Sequence, residues 1–217
     1  MVYHRKNRAD VYAISIGDLD FRRVFRSEAT LDSYITKKIN ALYSGANKDE
    51  FLAMVNLLAT YDGYFDYEVP AMAGDNAQET AKTFVKTLRK AVMDVTLDSS
   101  TEYNKAKVET WSNAGDLVLF VNKDILAEVD VEVLAKAMNM GKTDIQVEVV
   151  PMPHFGTLAN VYGLLVDKDW FRVWDTLNDM EPQRNAHGLF TNYFLHVHQI
   201  LSCSPFKTAL KFVPKAS

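Results

Sequence analysis

The sequence has very little cysteine: Cys203 is its single one among 217 residues. An intramolecular disulfide and a cysteine-based zinc cluster are both excluded by that count, and a reducing compartment is the simplest setting. Cys203 lies in an apolar stretch with no activating neighbour, so a small buried hydrophobe is expected rather than a reactive thiol. No apolar run approaches the roughly 18 residues that span a bilayer, so no membrane partner is expected. The basic start, His4-Arg5-Lys6-Asn7-Arg8, is not followed by an apolar segment, which argues against a signal peptide. The final Pro214-Lys215-Ala216-Ser217 holds no lipidation signal. There is no GxGxxG and no GxxxxGK[ST]. Asn139-Met140-Gly141-Lys142-Thr143 ends like a phosphate loop, but it lacks the first glycine and follows a helical stretch. Repeats, low-complexity tracts and flexible linkers are also missing. With 24 Lys and Arg against 28 Asp and Glu, the net charge is −4, which is wrong for a strongly basic nucleic-acid binder.

What is present is enough apolar side chain for a real core: 48% hydrophobic and 12% aromatic residues. From Leu31 the apolar positions Tyr34, Ile35, Ile39, Leu42, Tyr43, Phe51, Met54, Val55 and Leu58 follow helical spacing. They predict a long helix over about 28–62, with Ser27 or Thr30 as cap. Ser44-Gly45-Ala46-Asn47 marks a point where it could break, and Asp62-Gly63-Tyr64 would end it on a glycine. A second helix is expected from Asn76, which with Glu79 forms a capping box, through Val95. Its stripe includes Phe84, Val85, Leu88 and Val92. Strands are expected at 10–17, 117–121, 145–150, 161–166, 189–203 and 209–213, and a short helix at 130–140. Residues 175–185 read as a polar connection between two aromatic strands. The fold class is α+β.

Candidate chemistry is sparse. His196 and His198 share one face of a strand, because side chains repeat every two residues. They could bind a metal if His187, Asp175 or Asp179 converged as a third ligand. Without that, they are two histidines on a half-solvated face. Asp167-Lys168-Asp169 reads as a polar turn closing a buried strand, rather than as an acid–base cluster. The basic N-terminal quarter (Arg5, Lys6, Arg8, Arg22, Arg23, Arg26) reads as a solvated face, or as a place for ion pairs between subunits or contact with phosphate. Trp111, Trp170 and Trp174 are expected as core or interface anchors. No catalytic, cofactor-binding or metal-binding residues are assigned, and no cofactor is expected.

Four phrases stand out in order: Leu126 to Met140, Val166-Asp167-Lys168-Asp169-Trp170-Phe171, Met180-Glu181 with Arg184-Asn185 and Gly188-Leu189, and the strand Asn192-Tyr193-Phe194 with His196-Val197. Together they resemble the major capsid protein of small short-tailed phages with protein-primed DNA that infect Gram-positive bacteria. That family is similar to the Hong Kong ninety-seven-type capsid fold. The resemblance implies a long spine helix, a peripheral domain over 1–115 and 176–217, and an axial domain over 116–175. It implies a structural subunit of a tailed-phage or prophage head, without catalysis, located in the virion and assembled in the host bacterial cytoplasm. Its partners would be its own copies in hexamers and pentamers, a scaffold, a portal and non-specifically packaged double-stranded DNA. Against the family pattern, the chain starts where an extended loop would return to the spine helix. A preceding arm and that loop are therefore expected to be missing, which fits a fragment (a partial subunit), a split gene, a prophage remnant or a divergent coat. Two rivals are an encapsulin-like compartment and, further off, a metal-dependent enzyme using His196 and His198.

Overall fold

The computed structural model describes residues 4–19, 28–70, 77–128, 147–158 and 160–215. The expected helix at 130–140, the capping residue Asn76, the Asn139–Thr143 stretch and Arg22, Arg23 and Arg26 lie outside the described residues. The chain divides into two compact units, Met1–Met54 with Val173–Ser202, and Val55–Arg172 with Cys203–Ser217.

In the first unit, strand β1 (Arg8–Gly17) pairs antiparallel with β7 (Phe190–Cys203), from Arg8 opposite Gln199 to Gly17 opposite Phe190. Strand β6 (Phe171–Asn185) lies on the other side of β7, giving the order β1-β7-β6. The register sets the faces. Leu195 and Val197 of β7 turn inward with Tyr12 and Ile14 of β1, and they meet Leu42 and Ala46 of helix α1 (Glu28–Thr60). The even-numbered residues from Phe194 to Ile200 form the half-buried opposite face.

Helix α1 runs 33 residues without a break, about 50 Å at the usual rise. Gly45 and its neighbours do not interrupt it. The predicted apolar stripe is real but not uniformly buried: Leu42, Val55 and Leu58 are core, whereas Tyr43 is 39% and Phe51 40% exposed. The helix stops at Thr60, with the Tyr61 amide donating to the Leu57 carbonyl at 3.1 Å. Gly63 is not in the left-handed conformation of a glycine cap. It leaves room instead, since a Cβ there would come within 2.6 Å of the Lys105 Cβ.

The second unit is built on a five-stranded sheet, ordered β2 (Phe65–Val69), β8 (Ala209–Pro214), β5 (Gly163–Asp167), β3 (Leu117–Asn122), β4 (Glu148–Met152). Two of its pairings are parallel, β2 with β8 and β3 with β4, and two antiparallel. Both faces are covered, which explains the near-continuous apolar runs in its inner strands. Leu117, Leu119, Leu165, Leu210 and Phe212 face a core completed by Phe84, Leu88 and Val92 of helix α2 (Ala77–Leu97). Val118, Phe120, Leu164 and Val166 face the other, with Leu58 and the fully buried Trp170. Each such side chain contributes roughly 1.5–3 kcal/mol on burial. A short helix, α3 (Lys123–Glu128), follows β3. Pro151, one residue past the strand expected at 145–150, lies within β4 opposite Val121. An edge strand tolerates the missing N–H.

One expectation needs correction. Residues 175–185 are strand, not connection. Their side chains are exposed on both faces except Met180, so no alternation advertises them, and backbone pairing with β7 holds them. The turn is only 186–189, where Asn185 Oδ1 accepts from the amides of His187 at 3.1 Å and Gly188 at 3.0 Å. Helix α2 lays its apolar face on the five-stranded sheet.

Candidate functional site

His196 and His198 do share a strand face, standing opposite Val11 and Ala9 of β1. Among the described residues, nothing converges on them as a third ligand. Asp175 turns to the other face and accepts from Gln199 Nε2 at 2.7 Å, and His187 is exposed in the 186–189 turn. Among the described residues, no group of three His, Cys, Asp or Glu could hold a metal ion.

Asp167 is a structural anchor at the end of β5. It is 4% exposed. It accepts from Ser112 Oγ at 2.9 Å and from the Asp169 amide at 2.9 Å, and Lys207 Nζ lies 3.4 Å away. The turn expected at 167–169 is there, but the cation is Lys207 from the approach to β8. Lys168 pairs at 3.8 Å with Glu148 instead. Cys203 is partly buried against the Trp170 core, and burial pushes its thiol up to about 12. A thiol so protonated is a poor nucleophile.

The residue that sequence reasoning placed most differently is Arg8. It was grouped with a solvated basic face, yet it is 5% exposed. Its guanidinium donates to Asp10 Oδ2 at 2.8 Å, to Tyr12 Oη at 3.0 Å, to the Ala46 carbonyl at 2.8 Å, and to Gln199 Oε1. Glu50 Oε2 lies 3.4 Å away. Gln199, 3% exposed, passes the network on by donating to Glu50 at 2.7 Å and to Asp175. Tyr12 Oη donates to Asp49 at 2.9 Å. Two strands and the spine helix therefore meet at one buried cation, and Gln199 links the third strand to it through Asp175. Burial alone would lower its pKa, but the hydrogen bonds to Asp10 and Tyr12 outweigh this and raise it. Its partners lie up to 191 positions away, so no local signal marks it.

What remains exposed is apolar surface. Trp170 is core, but Trp111 is 55% and Trp174 39% exposed. Trp174 sits against His4, ring centroids 5.6 Å apart. Leu189 is exposed in the 186–189 turn and adopts a left-handed φ of 50°, uncommon for a branched side chain. Leu97 is 75% exposed at the end of α2. Exposed aromatic and aliphatic anchors of this kind suit contact with other macromolecules.

A family model described as Phi29-like phage major capsid protein matches residues 1–213. The major capsid protein of Bacillus phage B103 is 37% identical over 214 residues, covering 98% of this chain and 47% of that protein. That of Bacillus phage PZA is 36% identical, covering 98% and 48%. The chain thus spans about half the length of these curated relatives. Among solved structures, a chain in the capsid of Staphylococcus phage Andhra superposes with a TM-score of 0.73 at 10% identity, covering 96% of this chain and 70% of that one. A chain in the capsid of cyanophage P-SCSP1u gives 0.61 at 10% identity, covering 99% and 74%. The fold is that of a tailed-phage major capsid protein, as the resemblance implied, and the chain belongs to the Phi29-like phage major capsid protein family.

Proposed function

We propose that this chain is a structural subunit of an icosahedral tailed-phage head, working by repeated contact between copies and not by catalysis. The observation that carries this is the family match over residues 1–213. Exposed anchors such as Leu97 and Trp111 are what a tile in a wall needs, since each edge must bury apolar surface against a neighbour. In this reading the spine-helix unit, Met1–Met54 with Val173–Ser202, is the peripheral domain. The unit of Val55–Arg172 with Cys203–Ser217 is the axial domain. Copies would form hexamers and pentamers in the virion after assembly in the host cytoplasm, with scaffold, portal and packaged DNA as further partners. The curated relatives are phage coats, which favours a viral shell over a compartment for enzymes.

The test is the solution mass of the purified chain by light scattering, with negative-stain images of the same sample. Closed shells or rings of five or six are expected. A strict monomer at every concentration would overturn assembly by this chain unaided.

A further inference from the structure

Helix α2 leaves one stripe uncovered. Phe84, Leu88, Ala91, Val92 and Val95 are buried. Lys86, Lys90, Met93 and Leu97 are exposed, and their spacing of four, three and four places them on a single face. The stripe changes character along its length, from two ammonium groups to two apolar side chains. At the apolar end stands Trp111, more than half exposed yet fixed. Its indole Nε1 donates to the Thr96 carbonyl at 2.6 Å. An aromatic held this way gives up little freedom on docking. In the 98–110 segment between the helix and Trp111, Asp98, Glu102 and Glu109 are exposed, against Lys107 and a Lys105 that is paired with Asp62. Glu109 accepts from Ser99 Oγ at 2.6 Å, which keeps it beside the helix end. The Tyr103 hydroxyl registers the same negative field: burial, then Asp94, Glu102 and Asp98, raise its pKa.

We infer that this end of the second unit is a docking surface for a second copy of the chain. Met93, Leu97 and Trp111 are its apolar anchors, and the acidic rim of Asp98, Glu102 and Glu109 receives Lys86 and Lys90 of the neighbouring copy. The inference rests on the reading of the chain as a shell subunit and names the surface through which copies meet. An apolar centre inside a charged rim is the usual anatomy of an interface, and tryptophan is over-represented among the side chains that dominate binding. The charges choose the partner. One copy presents both signs, at opposite ends of one stripe, so a second copy is complementary without any other component. A contact of lysine end to acidic end also repeats from copy to copy, as a closed ring requires. Like-charge meetings in other registers are disfavoured.

Charge exchange tests this in the full chain by sedimentation equilibrium. Lys86→Glu with Lys90→Glu should weaken self-association at least about tenfold, as should Asp98→Lys with Glu109→Lys. The fourfold exchange, carrying both pairs, should return it to within about threefold of wild type. Leu97→Ser should weaken association by a similar factor that salt does not change, whereas the contribution of the charges should fall with added salt. All these positions are exposed, so unaltered melting temperatures serve as the folding control. If the wild-type chain associates and both charge-reversed variants associate equally well, the surface is wrong and the shell reading stands. If the wild-type chain stays monomeric throughout, both this contact and unaided assembly fail.

Discussion

At the scale of single residues, Arg8 matters most. A guanidinium has five N–H donors, and here they engage two strands and the spine helix within one buried network. Removing the cation leaves buried Gln199 and the Ala46 carbonyl without a donor, while Asp10 and Glu50, 43% and 28% exposed, can turn to water. A buried group left without its charged partner typically costs about 1–3 kcal/mol. Arg8→Ala should therefore lower the urea-unfolding free energy by about 2 kcal/mol. A loss below about 1 kcal/mol would show that the network is solvated and slack. The sequence could not reveal this role. An arginine among Arg5 and Lys6 reads as surface, and only the register that sets Arg8 opposite Gln199 turns it inward. Trp170, Leu117 and Leu119 were legible because apolar residues have one simple destination. Exposed Trp111 and Trp174 were anticipated only as alternatives to the core, since an anchor for another molecule has the same composition as a core residue.

At the scale of elements, what announces itself through periodic burial was readable, and what is held by backbone pairing alone was not. Helix α1 showed its helical stripe, and β3 and β5 their short apolar runs. Strand β6 showed nothing, because its outer part has solvent on both faces. The Ser44–Asn47 stretch looked like a break, but the helix tolerates its glycine, at a cost of about 0.5–1 kcal/mol relative to alanine. An added Cβ at Gly45 meets nothing within 4 Å. Gly45→Ala is accordingly expected to stabilise the protein by about 0.5–1 kcal/mol, raising the urea midpoint without changing its slope. A destabilised variant would mean that the helix bends at this point. The helix α2 stripe was legible, but not its destination. Periodicity says that a face is buried and is silent about what buries it.

At the scale of the whole molecule, the ionisable groups set an alkaline limit. Burial holds the Tyr64 and Tyr67 hydroxyls well above the usual tyrosine range, and Tyr67 is held further by its 2.9 Å hydrogen bond to Asp94. Cys203 is raised to about 12. Because each folded pKa exceeds its unfolded value, the folded state binds more protons wherever the unfolded groups have begun to ionise. Their contribution is complete below about pH 8.5 for the thiol and about pH 10 for the phenols, and it is lost as pH rises towards the folded values. The urea midpoint should stay level between pH 7 and 8 and fall steadily above about pH 10. Cys203 should resist thiol reagents at pH 8 until denaturant is added. A midpoint that stays level beyond pH 11 would count against burial of these groups. The sheet orders carry a further consequence, for biosynthesis. Strand β7 lies at the centre of one sheet and β8 is an inner strand of the other, yet both are translated after every strand they join. Neither sheet can close while the ribosome is still working through the earlier strands, so both units wait for residues 190–214 to be made. A chain cut before Phe190 would lack the central strand of one sheet and an inner strand of the other.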